Sequence, residues 1–195
     1  MKKYNIVFLD FDGVINSDHW LQRFYQLRKT TQETTIFYNL EFKDKTKETD
    51  IYWANSMDYR LIELLANTLN KVKNPKVVLS TSWKGLFSTE KWNELFNNLK
   101  CWNIEIIGKT PKDLNKEIIP VITLAELIGG FSVSENSRGL EIQKWLVENE
   151  NIVENYIILD DFDDMLKEQA ENFILTNAKT GITKEDMEQL LKILS

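Results

Sequence analysis

Cysteine and histidine are almost absent: Cys101 and His19 are the single examples of each in 195 residues. One cysteine rules out an intramolecular disulfide and fits a reducing compartment. Long apolar runs are missing as well, and no stretch approaches the roughly 20 residues that a membrane-spanning helix needs. The opening MKKYNIVFLD sets two lysines before an apolar run, but the run breaks at Asp10. This predicts a first strand rather than a signal peptide, and a cytoplasmic location is the expectation. No repeat or low-complexity tract is present. Positive charge is in deficit, with 24 Lys and Arg against 30 Asp and Glu and a net charge of −6. That balance disfavours broad non-specific binding to nucleic acid, which depends on many phosphate contacts, but leaves local recognition open. The hydrophobic fraction of 43% is ordinary for a globular protein. The length suits one domain over residues 1–195 with a small appended lid.

What the chain does have is an apolar run, residues 5–16 (NIVFLDFDGVIN), that stops at two carboxylates and a glycine. Residues 6–9 read as a short buried strand, apolar on both faces as in a central parallel strand, and Asp10, Phe11, Asp12 and Gly13 mark its exit from the sheet. Alternation puts Asp10 and Asp12 on one side and turns Phe11 away. An EF-hand loop is excluded, because Val14 and Ile15 stand where that loop needs an oxygen ligand and a glycine. A second apolar run, residues 156–159, also ends in acids: Asp160, Asp161, Asp163 and Asp164. In a doubly wound sheet, sites form at the carboxyl ends of neighbouring strands. Carboxylates converging there repel one another unless some are protonated or a cation lies among them. All-oxygen ligands without histidine or cysteine point to a hard ion, Mg2+ first.

These two runs resemble motifs one and four of the haloacid dehalogenase (HAD) superfamily: a hydrophobic strand followed by Asp-x-Asp-Gly, and a late strand followed by an acidic cluster. Residues 76–79 form another apolar run, ending in Ser80, Thr81, Ser82 and Trp83, which is similar to motif two. Arg138 opens a helical stretch where the superfamily places its basic motif three. That motif is usually lysine, and Lys144 is the alternative to Arg138. More narrowly, LSTSW, RGLEIQKWL, YIILDDFDDM and ILTN…TGIT resemble the HAD domains of Swiss Army Knife RNA repair proteins. The likeness covers most of the chain apart from residues 17–57, where the superfamily carries a cap insertion.

The resemblance implies an α/β, Rossmann-like, doubly wound parallel sheet and a Mg2+-dependent phosphohydrolase. Asp10 would be the nucleophile and Asp12 the general acid and base; the second aspartate separates phosphatases from dehalogenases. Ser80, Thr81 and Arg138 would bind the substrate phosphate. Asp10, Asp12, Asp160, Asp161 and Asp164 would make up the metal site, with Asp160 and Asp161 competing for the direct ligand role and Asp164 acting through water or by orienting a ligand. The substrate would be a phosphorylated nucleic-acid end; a nucleotide or sugar phosphate, or a silent metal-binding module, are the alternatives. Lys84, Lys109 and Lys112 are candidate substrate-side cations, and His19 is expected to take no part.

The remaining pattern is α/β. Helical stripes are expected over residues 19–28, 59–72, 89–99, 138–149 and 184–194, and short strands over residues 104–107 and 173–176. A short helix is expected over residues 165–171, and Thr110 with Pro111 reads as another helix start. Thr183 and Asp186 form the pattern of a capping box for the last helix. The insertion is expected to hold a strand over residues 36–42 and a short run at residues 51–53. Its aromatics, Trp20, Phe24, Phe37, Tyr38, Tyr52 and Trp53, either pack the lid or stack a base.

Overall fold

The computed structural model describes residues 2–30, 57–111 and 138–195. Within them five strands form one all-parallel sheet: β1 (Tyr4–Leu9), β2 (Pro75–Leu79), β3 (Ile106–Lys109), β4 (Val153–Asp160) and β5 (Phe173–Leu175). Their order is β3-β2-β1-β4-β5, so β1 is central, and both neighbours pair with it in parallel, Leu9 standing beside Leu79 and Leu159. The helices are α1 (Asp18–Thr30), α2 (Tyr59–Leu69), α3 (Thr89–Asn98), α4 (Arg138–Glu148) and α5 (Lys184–Leu194). The fold is the expected α/β, Rossmann-like one, and β1 and β4 are neighbours. The expected elements at residues 36–42 and 51–53, most of the 17–57 insertion, and the helix start beyond Pro111 fall outside the described residues.

Strand alternation builds two cores. Val7, Leu9, Val77, Leu79, Ile157 and Leu159 face one way, packing with Leu65 and Leu69 of α2, Trp92 and Phe96 of α3, and Leu190 of α5. Ile6, Phe8, Val78 and Ile158 face the other way, onto Ile142 and Trp145 of α4. The central strand is completely buried from Ile6 to Leu9, which is why its sequence is apolar without a break. The same parity, carried one step past the ends of β1 and β2 and to the last residue of β4, assigns Asp10, Ser80 and Asp160 to the face covered by α4.

Some boundaries differ from expectation. β3 starts at Ile106 rather than at residue 104, because the Ile104 carbonyl accepts the Trp102 indole N–H at 2.6 Å. Asn93 then clamps Ile106, donating to its carbonyl and accepting its N–H at 2.6 and 2.9 Å. The short helix after the acidic loop is a 3-10 turn, Lys167–Asn172, shaped by the buried Gln169. Gln169 accepts from the Leu166 N–H and donates to the Gly139 carbonyl, each at 2.9 Å. At the last helix the capping box forms as expected, with Thr183 and Asp186 bonded in both directions.

Candidate active site

The site lies at the carboxyl ends of β1, β2 and β4. The Asp10 N–H donates to the Leu159 carbonyl at 3.0 Å and the Ser80 N–H to the Leu9 carbonyl at 2.9 Å. The first residue past each strand is thereby still held by the sheet, and these strand ends are rigid. Asp10 is 6% exposed, Ser80 1% and Asp160 1%. Carboxylate oxygens of Asp10, Asp160 and Asp161 lie within 4.8 Å of one another.

Arg138 enters from α4. Its guanidinium lies 3.8 Å from Asp10 Oδ2 and 3.5 Å from Asp160 Oδ2. A cation in the first turn of a helix opposes the helix dipole, and here the two buried acids offset that cost. The turn is fixed by Asp164, whose Oδ2 accepts the Arg138 N–H at 3.0 Å. Gly139 permits the approach, because a Cβ there would stand 2.6 Å from the Leu166 backbone nitrogen. Lys144 lies six residues further along α4, about 9 Å up the helix axis.

Burial pushes the Asp10 carboxyl up to about 6, against the pull of Arg138, the Phe11 N–H and the Thr81 side chain. Burial, then the charge of Asp10, pushes Asp160 up to about 7. Asp161 is raised too, chiefly by burial. With all three carboxylates ionised, the one guanidinium leaves two negative charges without a counterpart among the described residues at this cluster, which together with burial holds protons on them. Among the described residues Asp160 Oδ2 has no hydrogen-bond partner, its ion pair with Arg138 being too long for one, and the buried Ser80 Oγ has none either. An all-oxygen donor set, surplus negative charge and an unsatisfied buried carboxylate oxygen together fit a hard divalent cation.

The expected metal set does not converge as a whole. The Asp12 carboxylate lies outside the cluster, accepting from Asn16 Nδ2 at Oδ1 and from the Trp83 indole N–H at Oδ2, both at 2.8 Å. Asp164 serves the helix start. Thr81 is completely buried and accepts the Trp83 N–H at 3.3 Å, capping the 3-10 turn Ser82–Gly85. His19 is exposed, at the start of α1. Lys109 donates to the Phe87 carbonyl at 3.1 Å, and Lys112 lies outside the described residues.

Lys84 is no surface cation. It is 5% exposed and forms a short ion pair with Glu141 of α4, itself 8% exposed, while donating to Thr110 Oγ1 at 2.8 Å. This knot ties the loop after β2 to the helix that carries Arg138. Residues so far apart in sequence give no local signal of such a pairing; the acid three residues past Arg138 was the available hint. Lys84→Met would leave Glu141 charged and buried, costing about 3–5 kcal/mol in chemical unfolding, whereas Lys84→Met with Glu141→Leu should recover most of that loss.

Gly13 adopts φ 69°, and a Cβ on it would lie 2.3 Å from Asp161 Cγ. Gly13→Ala therefore combines backbone strain with displacement of Asp161. Mg2+ affinity, read by calorimetry, should fall about 10-fold or more, since 1.4 kcal/mol is already a factor of ten.

Among the described residues no helix is long and apolar enough to cross a membrane. No curated protein and no solved structure gives a significant match. The family model for the HAD domain in Swiss Army Knife RNA repair proteins matches residues 6–187. With strand-end aspartates on β1 and β4, a basic helix start above them and nearly the whole chain matched, this protein belongs to that HAD family, whose members' chemistry suggests phosphohydrolase activity.

Proposed function

We propose that the protein is a Mg2+-dependent phosphohydrolase acting on phosphorylated nucleic-acid ends through an aspartyl-phosphate intermediate. The observation that carries this reading is the cluster of buried Asp10 and Asp160 with half-buried Asp161, the first two paired with the Arg138 guanidinium. Those three acids would hold Mg2+, which when bound offsets the repulsion between an anionic nucleophile and an anionic ester.

Asp10 is placed to attack. One of its carboxylate oxygens forms the new bond to phosphorus while the ester P–O bond breaks, and the departing oxygen takes its electron pair and a proton from Asp12. Water then attacks the aspartyl phosphate, giving its proton to Asp12, and inorganic phosphate leaves with Asp10 restored. Arg138 has a planar fork suited to the equatorial phosphoryl oxygens, and the Ser80 hydroxyl, without a partner among the described residues, would be a further donor. Thr81 lowers the Asp10 carboxyl toward its ionised form and would stand beside the bound phosphate. Residues 17–57 are read as a small cap on a single domain.

The nucleic-acid end is supported by the family, whose description places it in RNA repair proteins. The net charge of −6 favours a second reading, a nucleotide or sugar phosphate. The two separate in an assay of Mg2+-dependent phosphate release from a 3′-phosphorylated oligoribonucleotide, mononucleotides and an aryl phosphate. Preference for the oligonucleotide supports end repair, and preference for mononucleotides moves the protein to nucleotide metabolism. No release from any of them, with Mg2+ still bound, counts against the enzyme.

A further inference from the structure

We propose that Trp83 is a positioning residue: its indole N–H fixes the carboxylate of Asp12 for proton delivery to the leaving oxygen. The inference rests on the phosphohydrolase reading and adds a residue to it. The contact joins loops 71 positions apart, with Trp83 Nε1 donating to Asp12 Oδ2 at 2.8 Å while Asn16 Nδ2 holds Oδ1 at the same distance. Each carboxylate oxygen thus receives one donor from a different side, which sets both the rotamer and the plane of the group.

Neither anchor is loose. Asn16 is completely buried and bridges Asp12 through the backbone. The Trp83 ring meets Phe11 edge to face at 6.0 Å, and Phe11 in turn meets Trp92 at 5.3 Å. The Trp83 backbone N–H is pinned to Thr81 Oγ1. An indole N–H donates and cannot accept. The lone pair of Oδ2 that it occupies is therefore closed to a proton, and transfer must use the remaining lone pairs of Asp12. Trp83 would act on the reaction through Asp12.

The first test compares wild type, Trp83→Phe, Asp12→Asn and the double variant on an alkyl phosphate and on p-nitrophenyl phosphate, whose leaving group needs no proton. The readout is kcat/KM, which covers only the steps up to departure of the leaving group, before hydrolysis of the shared intermediate. Positioned acid catalysis is worth about 10²–10⁴-fold. Trp83→Phe should therefore lose about 10- to 100-fold on the alkyl ester and under about threefold on the aryl ester. It should add little to the loss in Asp12→Asn, because the two residues act as one unit. Equal losses on both esters, no loss on either, or additive losses would overturn the positioning role and leave the phosphohydrolase reading intact.

A second readout needs no turnover. The Trp83 indole N–H resonance, assigned by its disappearance in Trp83→Phe, should move in Asp12→Asn, and an unmoved resonance would overturn the pairing. If the wild type hydrolyses neither ester, the phosphohydrolase reading falls and the role of Trp83 falls with it.

Discussion

Asp10→Asn should lower Mg2+-dependent phosphate release by on the order of 10⁴-fold or more, as expected when the nucleophile of a covalent mechanism is removed. The same variant should be more stable than wild type in EDTA at pH 8. Asparagine has nearly the shape of aspartate but no charge, and Asp10 is buried beside Asp160 with its carboxyl pushed up to about 6. An ionised Asp10 is therefore a liability to the metal-free fold, retained for what it does. Loss of activity together with a gain in melting temperature separates removal of the nucleophile from misfolding, which would lower both.

Mg2+ should stabilise the protein strongly at pH 8 and weakly at pH 5. Asp160 rises from an unfolded value of 3.8 to about 7, and Asp10 from 3.8 to about 6. Between about pH 4 and 7 the folded chain accordingly binds more protons at these sites than the unfolded chain does. Stability then falls as pH rises through that window. By this linkage the metal-free wild type should lose stability relative to Asp160→Asn from pH 5 to pH 8. A dication competes with those protons, so its effect grows as they leave. At 100 times its dissociation constant a ligand adds about 2.7 kcal/mol, or a rise of about 5–10 °C in melting temperature for a chain of this size. Thermal scans with and without Mg2+ at the two pH values check the sign. A shift that is larger at pH 5, or that survives unchanged in Asp160→Asn, would remove Asp160 from the metal site.

Much of the site was legible because apolar runs that stop at acids carry their own geometry. Residues 6–9 and 156–159 read as strands ending in acids, and the two are neighbours in the parallel sheet. The capping box at Thr183 was equally local, two residues three apart meeting across one helical turn. What stayed hidden depends on partners distant in sequence. Lys84 read as a candidate substrate-side cation because nothing near it announces Glu141, 57 positions away. The 3-10 turn after the acidic loop read as a short helix because its shape comes from Gln169 reaching back to Gly139. The partners of the Asp12 side chain were hidden as well, because alternation gives the side of the chain but not its neighbours. Trp83, 71 positions on, and Asn16 draw its carboxylate away from Asp10, Asp160 and Asp161.

The aspartyl-phosphate mechanism is tested most sharply by acid-quenching a single turnover of Asp12→Asn on p-nitrophenyl phosphate, whose leaving group departs without a proton while hydrolysis of the intermediate is slowed, and locating any phosphoryl group by peptide mass. One phosphoryl group is expected on the peptide containing Asp10, removed by hydroxylamine and absent when Asp10 is also replaced by asparagine. A phosphoryl group on another residue, or wild-type rates of phosphate release from Asp10→Asn, would contradict that mechanism.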